Sequence, residues 1–265
     1  MDQLAFLGSG SMAAAMVDGL IAKGAPPSSM SCIGGTGQSA AALAKRTGIR
    51  LASSLEDLLR GAGTLVVAFK PQHLSAADPR LAPLTEGKLV LSVLAGKRLE
   101  ALGRAFPGAR NVVRTMPNTP SQIGAGITGW CALRPLSPAD RGSLQAVLEA
   151  LGQQIELPEG QMDAFTAICG CGPAYVFEFA AALRDAALSL GFDAKQSRLL
   201  AVETLLGAAR LLARKDADPE VLRSEVTSPN GATAAGLRRM ADMDFRGMIR
   251  AAAAAAAARA QELSA

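Results

Sequence analysis

Aromatic residues, histidine and cysteine are all scarce in this chain of 265 residues, which holds one Trp, one Tyr, eight Phe, one His and four Cys. With His73 as the only histidine, no multi-histidine metal site exists, and any Ser-His-Asp relay would rest on that one residue. It reads as a surface or structural histidine. Cys32, Cys131, Cys169 and Cys171 include one close pair, Cys169-Gly170-Cys171, but neither a redox C-x-x-C nor zinc-ribbon spacing. Free thiols and no metal are expected. The formal net charge is +4, and Lys and Arg are scattered rather than gathered into a stripe with interleaved aromatics. That pattern excludes a nucleic-acid surface and suits small anionic ligands. The start, Met1-Asp2-Gln3, lacks the positive flank of a signal peptide, so the apolar stretch behind it reads as a first strand and a cytoplasmic location is expected. The longest apolar run, Ala164 to Leu183, is interrupted by Gly170, Gly172, Pro173 and Glu178, which argues against a membrane span.

Apolar residues make up 49% of the chain, enough at this length for a sizeable core, and the abundance of Ala and Gly suits close helix packing. Gln3 to Leu7 reads as a buried strand, Ser11 to Lys23 as a helix and Ser31 to Ile33 as a second strand after the Pro26-Pro27 loop. Further strands are predicted at Thr64 to Phe69, Lys88 to Leu94, Asn111 to Thr115 and Ile127 to Leu133, with helical or turn-rich segments between several of them. This alternation predicts a mostly parallel sheet covered by helices. Strand signals fade near Leu157-Pro158-Glu159-Gly160, and helices are predicted around Ala174 to Leu190, Ala194 to Ala213 and Phe245 to Glu262, the last containing the alanines Ala251 to Ala258. The boundary falls there, giving an α/β domain over 1–158 and an all-helical domain over 159–265.

Directly after the first strand stands Gly8-Ser9-Gly10-Ser11-Met12-Ala13, of the form G-x-G-x-x-A, opening the first helix. In that context the first Gly permits a tight turn, the second lets backbone approach a pyrophosphate, and Ala13 allows close helix-to-strand packing. The anion would rest on the helix N-terminus. The first domain therefore reads as a Rossmann-type dinucleotide-binding domain. After the second strand the chain continues Gly34-Gly35-Thr36-Gly37-Gln38, without the acid that bonds a ribose hydroxyl in an NAD site. Small residues and the Thr36 hydroxyl suit a 2′-phosphate, so NADPH is favoured, with NADH left open.

Five further motifs follow in order: Ala68-Phe69-Lys70-Pro71-Gln72, Ser92-Val93-Leu94-Ala95-Gly96, Arg114-Thr115-Met116-Pro117-Asn118-Thr119-Pro120, Gly170-Cys171-Gly172-Pro173-Ala174-Tyr175 and Ser228-Pro229-Asn230-Gly231-Ala232-Thr233. Together they resemble the pyrroline-5-carboxylate reductase family from the first strand to the final helix. The resemblance implies hydride transfer from NADPH to the C=N bond of 1-pyrroline-5-carboxylate, giving L-proline in the final step of proline biosynthesis. It also implies that the helical half is a dimerisation and substrate-binding domain and that the protein is a homodimer, with larger assemblies left open.

By the same resemblance Gly8, Ser9, Gly10, Ser11, Met12, Ala13 and Thr36 hold the cofactor, with Ala68, Phe69, Lys70 and Pro71 beside it and Ala95 and Gly96 at the edge of the nicotinamide. Asn118, Cys171, Gly172, Pro173, Ser228, Asn230, Gly231, Ala232 and Thr233 are implied on the substrate side, the loop amides taking the carboxylate and the Thr233 hydroxyl lying near the imine nitrogen. Thr233 and Lys70 are the implied catalytic residues. An exposed lysine following a buried strand is the plainer reading of Lys70, and a cap on a helix starting near Ala234 the plainer reading of Thr233.

Four positions depart from the family pattern. Cys171 replaces a Ser, Asn230 a Gly, Leu55 an Asn that contacts the cofactor, and Asp216 a Glu near the substrate. Another NADPH-dependent imine or hydroxyacid oxidoreductase stays open, although Lys195 is the only nearby lysine for the latter chemistry. So do a non-catalytic paralogue that holds NADPH or proline and a mainly structural dimer, the intact glycine turn arguing against the last.

Overall fold

The computed structural model describes residues 3–35, 37–215 and 218–264. Eight strands form one sheet: β1 (Gln3–Leu7), β2 (Met30–Ile33), β3 (Arg50–Leu51), β4 (Ala62–Val67), β5 (Leu89–Ser92), β6 (Asn111–Met116), β7 (Gly126–Ala132) and β8 (Gly152–Glu156). Their order is β3-β2-β1-β4-β5-β6-β7-β8, and neighbours run parallel except for β6 and β7. The chain thus starts in the middle of the sheet, winds outward through β2 and β3, then returns past β1 to build the other side. That reversal leaves a crevice beyond the carboxyl ends of β1 and β4, where ligands of open α/β sheets bind.

Strand alternation divides the core between two faces. Leu4, Phe6, Val66, Leu89, Leu91 and Val113 join one apolar cluster, while Ala5, Leu65, Val67, Val90 and Val112 join the other. Helices α1 (Ser11–Ala22), α2 (Ser39–Thr47) and α6 (Pro138–Glu149) cover the first face. Helices α3 (Leu55–Leu59), α4 (Leu81–Leu84), α5 (Leu99–Ala105) and α7 (Met162–Phe165) cover the second. Local chemistry starts these helices where the sequence allows. Ser54 and Ser137 accept the amides of Asp57 and Asp140, and Pro138 stands in the first turn of α6, where its missing N–H costs nothing.

The mostly parallel sheet is as predicted, with the predicted strands displaced by one or two residues at their ends. Two strands were not anticipated. β3 is two residues long, and β8, Gly-Gln-Gln-Ile-Glu, carries one large apolar residue, Ile155, which is 43% exposed. Both edge strands owe their existence to a neighbour's free backbone groups rather than to an apolar pattern.

The chain separates into two compact units, Met1–Cys171 with Ala256–Ala265, and Gly172–Ala255. The second is all helix: α8 (Gly172–Ser189), α9 (Ala194–Lys215), α10 (Pro219–Glu225), α11 (Ala232–Asp242) and the first part of α12 (Phe245–Ser264). The rings of Phe179 and Phe245 meet in a tilted arrangement, their planes at 60° and their centroids 6.3 Å apart. Few side chains in this unit are buried, among them Ala187, Ser197 and Ala201. Phe177, Leu199, Val226 and Met248 are each more than half exposed.

Candidate functional site

At the end of β1 the chain turns through Gly8, whose φ of +113° is open only to glycine at low cost. A β-carbon there would lie 2.5 Å from the carbonyl of Ala68 and 2.7 Å from the amide nitrogen of Phe69. The motif after β4 therefore touches the glycine turn directly, and hydrogen bonds fix that approach: Ala68 N to Leu7 O at 2.8 Å and Gly8 N to Ile33 O at 2.9 Å. Gly10 is different. It is the N-cap of α1, and a β-carbon on it would meet nothing within 4 Å, so it faces open space.

The first helical bond of α1 runs from Ala14 N to Gly10 O, which leaves the amides of Ser11, Met12 and Ala13 without a helical acceptor. No acidic residue occupies this first turn. Such a terminus attracts an anion through free N–H groups and the helix dipole. Ser9 is buried, and its hydroxyl lies 2.7 Å from that of Ser39, at the start of α2. Ser39 carries no sequence motif, so nothing in the chain marked this partner. Thr36 lies outside the described residues, as does Asp216.

Past β4, Lys70 is exposed, its carbonyl accepts the His73 amide at 2.9 Å, and its ammonium group has no hydrogen-bonded or ionic partner among the described residues. Pro71 opens a single 3₁₀ turn that ends at the exposed His73. Past β5, Lys97 N bonds Leu94 O at 3.2 Å, closing a turn in which Gly96 takes a φ of +72° and Ala95 is exposed. These segments border a cleft of about 490 Å3 lined in part by Pro71, Ala95, Gly96 and Cys171. Past β6, Asn118 is buried and its carboxamide is in structural use: Nδ2 donates to Cys169 O at 3.1 Å, and Oδ1 accepts from Ile127 N at 3.0 Å. It ties the loop after β6 to β7 and to a π-helical turn, Thr166–Gly170.

Leu55, where the resemblance implies a polar contact to the cofactor, packs against the apolar cluster instead. All four cysteines are free. Burial pushes the Cys169 thiol above its ordinary range, and burial, followed by the Glu159 carboxylate, pushes Cys131 up to about 11. Both stay protonated at neutral pH and make poor nucleophiles. Among the described residues no three His, Cys, Asp or Glu side chains gather as a metal site would need.

In the helical unit Gly172 and Pro173 begin α8. The loop from Ser228 closes with Gly231 N bonded to Ser228 O at 3.0 Å. Asn230 stands in it at φ +58°, the left-handed region that Asn tolerates best after Gly. The Gly-to-Asn departure is therefore accommodated by the backbone. Helix α11 starts at Ala232 with Gly231 as its N-cap and no side-chain cap. Thr233 is thus inside the first turn, exposed and without a hydrogen-bond partner among the described residues. This corrects the reading of Thr233 as a cap: the helix begins two residues earlier than Ala234. Because Ala235 N is the first to bond within α11, the amides of Ala232, Thr233 and Ala234 are free.

Residues 159–263 match the family described as pyrroline-5-carboxylate reductase dimerisation, and residues 3–96 match NADP oxidoreductase coenzyme F420-dependent. A pyrroline-5-carboxylate reductase from Synechocystis is 35% identical over 262 residues, covering 98% of both chains. The solved structure of a pyrroline-5-carboxylate reductase from Coxiella burnetii superposes with a TM-score of 0.94 at 30% identity, covering 100% of this chain and 99% of that one. A Plasmodium falciparum pyrroline carboxylate reductase with NADP bound gives a TM-score of 0.86 at 27% identity, over 100% and 98%. With its glycine turn, its strand-end motifs and this similarity along the full length, the chain belongs to the pyrroline-5-carboxylate reductase family.

Proposed function

We propose that this protein reduces 1-pyrroline-5-carboxylate to L-proline with NADPH. The observation that carries the reading is the coincidence, in one chain, of a glycine cradle at the sheet's switch point and a loop-to-helix anion cradle at 228–234. The open side of Gly10 and the free amides of Ser11, Met12 and Ala13 fit a pyrophosphate, so NADP has a place here. When bound in its reduced form, NADPH would supply the hydride and leave as NADP+.

The chain's own tasks are to bind, orient and exclude water. Lys70 and Pro71 lie beside the cofactor and Ala95 and Gly96 at the nicotinamide edge. The free amides of Ala232, Thr233 and Ala234, at the end of the loop from Ser228, take the substrate carboxylate without a formal cation. The Thr233 hydroxyl, free of any partner in its own helix, orients the ring nitrogen while the adjacent carbon receives the hydride. A cyclic imine is basic enough to arrive protonated, which fits a site whose residues include no strong acid. Cys171 offers the weaker S–H donor where the family has a hydroxyl, and Gly172 and Pro173 start the helix beside it.

Oxidation of NADPH measured against a panel of cyclic imino acids and 2-keto acids tests the assignment. Turnover confined to the five-membered imino acid is expected, with higher kcat/KM for NADPH than for NADH, because no acid after β2 is present to bond a ribose hydroxyl. A 2-keto acid as the better substrate would move the protein to the hydroxyacid dehydrogenases, and an NADH preference would remove the phosphate pocket.

The helical unit dimerises, in this reading, through the apolar side chains left exposed on α8 and α9, among them Phe177 and Leu199. The stretch Glu159–Ser189 is by length and composition apolar enough to cross a bilayer. Its exposed apolar side is equally what a helical partner needs. Light scattering after size exclusion is expected to give at least twice the 27.1 kDa chain mass. A stable monomer at micromolar concentration would contradict the assignment.

A further inference from the structure

The nicotinamide-edge cleft has a wall that no motif announces. Opposite Ala95 and Gly96, its lining comes from Ala256, Ala260 and Leu263, one face of the last turns of α12. The approach is close, since a β-carbon on Gly96 would lie 3.0 Å from the carbonyl oxygen of Leu263.

A buried ionic clasp holds that turn. Arg114, on β6, has a side chain only 5% exposed, and it donates to Asp163 Oδ1 at 3.1 Å and to Glu159 Oε1 at 3.2 Å. The other oxygen of Asp163 accepts from the Ser264 hydroxyl at 3.0 Å, and Arg98 reaches the same hydroxyl at 3.3 Å. Glu159 also accepts the Leu99 amide at 2.6 Å, which ties the start of α5 into the cluster. Every member of the clasp sits within one compact unit. Burying Arg114 with the Asp163 carboxylate, beside a half-buried Glu159, costs desolvation that apolar packing would avoid, so such a cluster is better at fixing one geometry than at adding stability. What it fixes here is the height of Leu263 above Gly96.

We propose that the last turn of α12 is the fixed wall against which the nicotinamide end of the cofactor packs, and that Arg114, Asp163 and Ser264 are the positioning residues that hold it. The proposal rests on the NADPH reading above. Loosening the wall should weaken ligands that carry a nicotinamide and leave the adenosine end untouched.

Wild type, Ser264→Ala and Ser264→Thr, each checked by thermal melting, are titrated with NADPH and with 2′,5′-ADP, and amide exchange is followed over 256–264. Ser264→Ala is expected to lose exchange protection there and to bind NADPH roughly three- to tenfold more weakly, with 2′,5′-ADP unchanged and Ser264→Thr close to wild type. Unchanged NADPH affinity, equal weakening of both ligands, or intact protection at 256–264 would each overturn it. If Ser264→Ala melts too early to titrate, Leu263→Ala trims the wall without touching the clasp and must show the same split between the two ligands. A wild type that binds neither nucleotide removes the cofactor reading itself, and this proposal with it.

Discussion

Replacing Thr233 by Val is expected to lower kcat/KM for the imine by roughly tenfold to a hundredfold, the loss of one hydrogen bond of ~1 to 3 kcal/mol at the transition state. The fold should not notice. The hydroxyl has no partner within the chain's described residues, Gly231 rather than Thr233 caps α11, and Val keeps the branched shape at a similar helix propensity. The melting temperature should therefore stay within a degree or two, and NADPH affinity should not change. Steady-state kinetics with a melt of the same sample decides it: wild-type kcat/KM would take Thr233 out of the site and leave substrate orientation to the amides of 232–234. A large fall in stability instead would show that its side chain has a structural partner.

The second large effect separates the two glycines of the phosphate turn. Gly8→Ala is expected to destabilise the protein by about 3 to 5 kcal/mol, because an L side chain is strained at φ +113° and its β-carbon would overlap the Ala68 carbonyl. Relief would require parting the ends of β1 and β4, which the Ala68 N to Leu7 O bond holds together. A drop in melting temperature of roughly 10 °C and loss of NADPH binding should follow. Gly10→Ala should do the opposite. Its β-carbon enters open space, so stability stays near wild type while NADPH binding weakens tenfold or more, because the methyl group occupies the side from which a pyrophosphate approaches. Equal behaviour of the two variants would mean that the turn is only a structural connection.

Several features were legible from sequence because they are local. The G-x-G-x-x-A turn requires its residue types within six positions, and short continuous apolar runs announce strands whose two faces are both buried, as for β1, β4, β5 and β6. The change to Ala/Leu-rich segments after Leu157 likewise marks where strands end and long helices take over. Strand β8 and the short β3 were not legible, since their few apolar residues carry no pattern and only the neighbouring strand gives them structure. Helix α11 starts two residues before Ala234, a start that the sequence hides because a glycine N-cap leaves no side-chain signature.

By itself, then, the sequence determined the fold class, the position of the glycine turn and the family, since each depends on residue types at short spacing or on motifs kept in order. Tertiary structure alone decided which distant residues share a site. Ser9 and Ser39 are paired across 30 positions, and Arg114, Asp163 and Ser264 form one cluster from a strand, a short helix and the final helical turn. No spacing rule predicts such meetings, because they depend on where the sheet and its covering helices bring the backbone. The same holds for the left-handed Asn230 and the partnerless Thr233: their identities are in the sequence, but whether a hydroxyl is committed or free follows only from what folding places around it.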